Sequence, residues 1–140
     1  MFHELADPVE LTAAELHDRY RAALVEIIDE QGIEAVIGST DIERNRLQNL
    51  LDGDDSELTL EESAAVFALD EGAPDAETIA VLARDELLMG MTTAVLDVEA
   101  VESGLGGELE AREIQSKVEG RFPMTLREFA LLYAYIGGKR

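Results

Sequence analysis

Apolar residues recur along this chain at intervals of three and four, and no stretch alternates apolar with polar over several positions. That pattern predicts helices and no strands. After Thr12, the residues Leu16, Tyr20, Leu24, Ile27 and Ile28 share one helical face, and Thr12 with Glu15 forms a capping box. Gly32 is placed to end that helix in a left-handed cap. A short helix is expected over 33–39 with Val36 and Ile37 inward, then a turn at Thr40-Asp41. A third helix over 42–51 would bury Ile42, Leu47 and Leu50. Thr59 to Glu62 is a second capping box, opening a helix that turns Leu60, Ala64 and Phe67 inward and stops near Gly72-Ala73-Pro74. Asp75 opens the longest predicted helix, to about Asp97, with Ile79, Leu82 and Ala83 as its first apolar stripe. Its second half, Leu87 to Leu96, carries no charge on any side. A helix apolar all round is expected to be covered all round, which makes 75–97 a core element. Gly90 within it would allow a close helix approach, and Met89 and Met91 read as core filler. A short helix over 98–103, a turn at 104–107 and a helix near 110–119 burying Ile114 and Val118 follow. The last helix, from Thr125, would bury Leu126, Phe129, Ala130, Tyr133 and Ile136.

Much of this pattern occurs twice. Ile33-Glu34-Ala35-Val36 returns as Val98-Glu99-Ala100-Val101, Leu47-Gln48 as Ile114-Gln115, and Asp52-Gly53 as Glu119-Gly120. Thr59-Leu60-Glu61-Glu62 returns as Thr125-Leu126-Arg127-Glu128, with Ala64 and Phe67 answered by Ala130 and Tyr133. A near-constant offset of about 66 residues is the signature of an internal repeat. The expected architecture is therefore all-α. It is a tandem duplication, with residues 1–73 (including an N-terminal arm turned at Pro8) as the first copy and 74–140 as the second. The copies share the long central helix and pack as one compact unit.

Residues 33–53 resemble the helix-turn-helix unit of phage-repressor-like transcription regulators. Val36, Ile42, Leu47 and Leu50 occupy its apolar positions and Asp52-Gly53 closes its second helix. The sequence departs from that family at Ile37, where a smaller residue is usual, and at Asp41, where the turn usually has glycine. Aspartate tolerates the positive φ such a turn asks for better than most residues. The outer face of the second helix carries Arg44, Asn45, Arg46, Gln48 and Asn49; its counterpart in the second copy carries Arg112, Gln115, Ser116 and Lys117. The resemblance implies that Arg44, Asn45, Gln48 and Asn49 would face a DNA major groove, where such side chains read base edges. In the second copy the turn is longer and Lys117 replaces an apolar residue. The whole chain is also similar to a family of small acidic proteins of unknown function from salt-loving archaea. Ala83 to Asp97 and Pro123 to Phe129 carry that likeness, which implies no catalytic residues.

Charge alters the picture most. The chain has 140 residues with 31 acids against 11 bases, a net charge of −20. Its apolar residues are too regular for a disordered chain, so the charge reads as a surface suited to concentrated salt, where the Debye length shrinks to about 3 Å at 1 M. Residues 1–73 hold most of the excess acid, so the second half is the side better suited to an anionic partner. No cysteine is present, which excludes disulfides and thiolate metal sites. No apolar run is long enough to cross a bilayer and none resembles a leader, so a cytoplasmic protein is expected. The acids from Asp52 to Glu57 miss the spacing of a calcium loop, and no metal or cofactor is expected. Two separated histidines, His3 and His17, and no phosphate loop leave no nucleophile–base pair to name. The expected function is therefore non-enzymatic: an adaptor or structural module, with a protein partner or a second copy favoured over DNA. The alternative is a transcription-associated DNA-binding protein using 33–53. Basic side chains gathered on one surface would favour DNA. An apolar patch left exposed would favour association.

Overall fold

A computed structural model describes residues 11–53 and 58–139. The expected arm over 1–10, with His3 and Pro8, most of the acidic loop (54–57) and Arg140 lie outside the described residues. Among those described there are eight helices and no strand: α1 (Ala13–Gln31), α2 (Ile33–Thr40), α3 (Arg44–Leu51), α4 (Leu60–Phe67), α5 (Ala76–Thr93), α6 (Val98–Gly104), α7 (Ala111–Val118) and α8 (Leu126–Gly137). No helix is long and apolar enough to cross a membrane.

Five of the eight helices open on a residue whose side chain caps a free backbone donor. Thr12, Thr59 and Thr125 each form a full capping box, with Glu15, Glu62 and Glu128 respectively. Asp75 caps α5 by accepting the Thr78 N–H at 2.8 Å, and Asp97 caps α6 by accepting that of Ala100 at 2.8 Å. Asp41 ends α2 at φ 59°, the left-handed conformation that its sequence position called for. Gly104 ends α6 for a different reason. The Tyr135 side chain of α8 lies across it, and a Cβ there would fall 1.9 Å from the Tyr135 hydroxyl oxygen.

The packing comes in matched pairs. α1 buries Leu16, Tyr20, Leu24, Ile27 and Ile28, as the periodicity predicts. α5 buries Ile79, Ala83, Leu87, Gly90 and Met91, each 63 residues further on. Val36 and Val101 are both fully buried, as are Leu47 and Ile114. The most extensive helix contacts are α1 on α8 and α5 on α4, so the first helix of each half packs on the last helix of the other. Where the halves meet, Leu60 N–H donates to the Met124 carbonyl at 2.7 Å. In return, Leu126 N–H donates to the Leu58 carbonyl at 2.8 Å. These reciprocal bonds form an isolated antiparallel bridge between Thr59 and Thr125. Leu58, Val66, Leu109, Met124 and Leu132 complete a single core.

Two expectations for 75–97 are corrected. α5 stops at Thr93 and, at 18 residues, is one shorter than α1. Nor is its uncharged half covered on all sides. Leu87, Gly90 and Met91 are buried, whereas Leu88, Met89 and Val95 are 42%, 66% and 89% exposed. Leu82, expected on the inner stripe, is 54% exposed. The reason is geometric: α5 lies against α4, α7 and α8, and a helix offers its neighbours only one sector of its surface.

Candidate functional site

Three surfaces answer to the sequence expectations: the outer face of α3, that of α7, and the uncovered side of α5. Leu47 and Leu50 pin α3 to the core, which turns its polar residues outward. Arg44, Asn45, Gln48 and Asn49 are exposed and Arg46 is half-buried. Arg44 pairs with Glu34 of α2, and the Gln48 amide donates to Asp52 at 3.2 Å. Arg46 grips Glu62 of α4 through both of its terminal nitrogens, one of them at 2.6 Å. Glu62 is the same carboxylate that closes the capping box of α4, accepting Thr59 N–H at 2.9 Å.

On α7, Ile114 and Val118 are buried, Arg112 and Gln115 are exposed, and Lys117 is half-buried. The Gln115 amide donates to Glu119 at 3.4 Å. Lys117 pairs with Glu128, the capping-box carboxylate of α8, and lies 3.5 Å from Glu113. Lys117, out of place for a helix-turn-helix core, thus repeats from a different position the task Arg46 performs. Each base ties its helix to the start of the next. Arg84 of α5 pairs with Glu61 and donates to the Lys117 carbonyl at 3.0 Å, while Arg121 pairs with Glu119 at 3.2 Å. α3 and α7 do not touch, and the cleft beside α7, about 490 Å³, is lined by Glu99, Glu102 and Glu110 as well as Arg112 and Gln115.

Burial would by itself raise the Glu62 carboxyl, but the Arg46 hydrogen bonds and the Thr59 backbone donor outweigh it and hold it below its ordinary value. A carboxyl lowered in the fold contributes stability that is present above its unfolded pKa, about 4.3 for glutamate, and lost as pH falls through the folded value. Glu62→Gln should therefore cost about 1–3 kcal/mol near neutral pH. The gap to the unaltered protein should close below about pH 4. Urea unfolding of both proteins at several pH values checks this, and a gap independent of pH would contradict it.

The uncovered side of α5 has a different character. Val81, Leu82, Leu88 and Met89 are 51%, 54%, 42% and 66% exposed. At 100° per residue they fall in one sector about 120° wide, with Asp85 at its centre and Thr78 and Thr92 along its axis. Val95, just past the helix, is a β-branched residue at φ 56° with its side chain in solvent. Phe122, 62% exposed, follows the turn that Arg84 holds against α5. The large exposed apolar side chains of the described residues are these six.

The protein-family model for a family of unknown function (DUF5791) matches residues 16–139. The chain belongs to the DUF5791 family. The DUF5791 match runs from the first turns of α1 to the end of α8, so it takes in α3, α7 and the α5 stripe alike. Neither the curated proteins nor the solved structures contain a match to the chain.

The α5 stripe was overlooked in the sequence because an uncharged run was equated with burial. The signal was present in the spacing. The residues at 79, 83, 87, 90 and 91 form one face, those at 81, 82, 88 and 89 another, and both are apolar.

Proposed function

We propose that this DUF5791 protein is a non-enzymatic helical module that associates with another protein through α5, built as a tandem duplication and suited to concentrated salt. The exposed apolar stripe of Val81, Leu82, Leu88 and Met89 carries the reading. Large apolar side chains gathered on one side of a helix and left exposed among the described residues are a feature of interaction sites. The comparison with α1 strengthens it. At the corresponding positions, 63 residues earlier, α1 has Asp18, Arg19, Val25 and Glu26. Two helices with equivalent buried faces thus differ on their outer faces, so core packing does not require apolar residues there. The duplication is supported by the paired burial pattern, the crossed helix contacts and the reciprocal Leu58–Met124 bonds.

The DNA-binding alternative draws on exposed Arg44, Asn45, Gln48 and Asn49. Against it, Arg44, Arg46, Arg84, Lys117 and Arg121 all lie in ion pairs with glutamates. Phosphates would have to displace those partners on a chain of net charge −20.

The test is capture from a lysate at about 2 M KCl, where long-range electrostatic attraction is screened. The full chain and a Leu82→Glu/Met89→Glu variant serve as bait, with and without nuclease. Partners that persist through nuclease and disappear with the variant are the expected result. Partners lost on nuclease treatment and indifferent to the variant would shift the reading to nucleic acid. The salt reading has its own check. Crowded carboxylates repel at low ionic strength, so the melting temperature should rise steadily between about 0.1 and 2 M KCl, past the range where simple screening saturates. A flat profile would contradict it.

A further inference from the structure

We propose that the α5 stripe docks an amphipathic helical segment of a different protein, one that presents a lysine or arginine within its apolar face in register with Asp85. This rests on the association reading above and names the chemistry of the partner. Asp85 lies midway along the stripe, four residues after Val81 and four before Met89, and is exposed. Among the described residues its carboxylate has neither an ion pair nor a hydrogen-bond partner. A wholly apolar partner would strip water from that carboxylate and return nothing, which is costly for a charge. A cation placed opposite turns the same burial into a charge-assisted hydrogen bond. Glu77, exposed near the start of the same helix, and a net charge of −20 favour further basic residues on the partner's flanks.

The same residue argues against a second copy of this chain. Val81 and Leu82 precede Asp85 by about the distance at which Leu88 and Met89 follow it. Any pairing that overlays the four apolar side chains, parallel or antiparallel, therefore brings two Asp85 carboxylates together in the seam. Like charges desolvated at close range disfavour that arrangement. Val95 adds a separate pointer. A β-branched residue in the left-handed region is strained. This one ends α5 where glycine is usual, with its side chain 89% exposed. With so little of its side chain covered, Val95 buries almost no apolar surface in the fold. An apolar contact at the end of the stripe gives it a use, as strain retained at functional positions often does.

The probe is a synthetic helical peptide of about 18 residues, with leucines at helical spacing along one face, a central lysine within that face and lysines on the flanks. One control replaces the central lysine with leucine, and a second scrambles the sequence at constant composition. Binding to the full chain is followed by fluorescence anisotropy at about 1 M KCl, where diffuse attraction between a basic peptide and an acidic protein is suppressed. The lysine-centred peptide should bind at least tenfold more tightly than the scrambled one, and Leu82→Glu/Met89→Glu should remove that advantage. Asp85→Asn should erase the preference for central lysine over leucine. Val95→Gly should raise the melting temperature while weakening the peptide, an opposition that a purely structural role for Val95 would not produce. Circular dichroism melts check that the variants, all at exposed positions, remain folded. Equal binding of scrambled and patterned peptides, or no binding, overturns the proposal. Sedimentation equilibrium separates the remaining outcomes. Self-association abolished by Leu82→Glu/Met89→Glu would overturn the foreign partner and leave the association reading standing. If neither peptide binding nor self-association responds to the stripe, both fall.

Discussion

Phe129→Ala should cost about 3–5 kcal/mol of folding stability, the range for deleting a buried aromatic ring. Phe129 is fully buried on α8, its ring centroid 5.9 Å from that of Tyr20 on α1 and 5.7 Å from that of Tyr133, both pairs tilted. Tilted aromatic pairs add to the burial itself. The environment is dry enough that burial, with Tyr133 adding to it, pushes the Tyr20 phenol well above its ordinary range. The position matters as much as the ring. α1 on α8 joins the first helix to the last, and its counterpart α5 on α4 likewise crosses between the halves. A cavity at Phe129 therefore weakens the junction between halves rather than one lobe. A single urea transition shifted to lower midpoint is expected, with fluorescence and circular dichroism coinciding. A loss below about 1 kcal/mol, as at many less critical positions, would show that the seam is not where the fold is held.

Leu87→Ala and Leu88→Ala, adjacent in sequence, should differ by several kcal/mol. Leu87 is 1% exposed against the core and should cost about 2–5 kcal/mol when truncated. Leu88 is 42% exposed on the stripe and should stay within about 0.5 kcal/mol. Thermal and urea unfolding of both variants checks this. Similar losses would mean that the outer side of α5 is covered in solution. Exposed apolar residues thus contribute little to folding, which leaves them available for binding.

Helix content and inner faces were legible in the chain because both arise from local rules. The 3.6-residue period selects Leu16, Tyr20, Leu24, Ile27 and Ile28, and the structure buries those five on α1. Capping is chemistry between residues three apart, so Thr59 with Glu62 and Thr125 with Glu128 could be read directly, and both boxes form. Asp41 was readable as the residue that takes the left-handed turn after α2. Arg44, Asn45, Gln48 and Asn49 on α3 and Arg112 and Gln115 on α7 were correctly placed outward, whereas Arg46 and Lys117, expected beside them, are half-buried. That Arg46 and Lys117 would turn to the capping glutamates of α4 and α8 was not visible, because those glutamates are 16 and 11 residues away and the meeting depends on how the helices cross.

By itself, then, the sequence determined that the chain is helical, where the helices opened by a threonine or aspartate cap begin and which side of α1, α3, α4, α7 and α8 faces inward, since neighbours within a turn settle each of these. The third helix, expected from 42, begins instead at Arg44. Only the tertiary structure decided which sides were covered. The run from Leu87 to Leu96 has apolar residues in every direction, and periodicity cannot rank two apolar faces. The choice fell to the packing of α4, α7 and α8, which occupy the side of Ile79, Leu87 and Met91 and leave Val81, Leu82, Leu88 and Met89 in solvent. Burial is a property of the space around a helix, and that space is shaped by residues distant in the chain, here by α1 closing on α8 and α5 closing on α4.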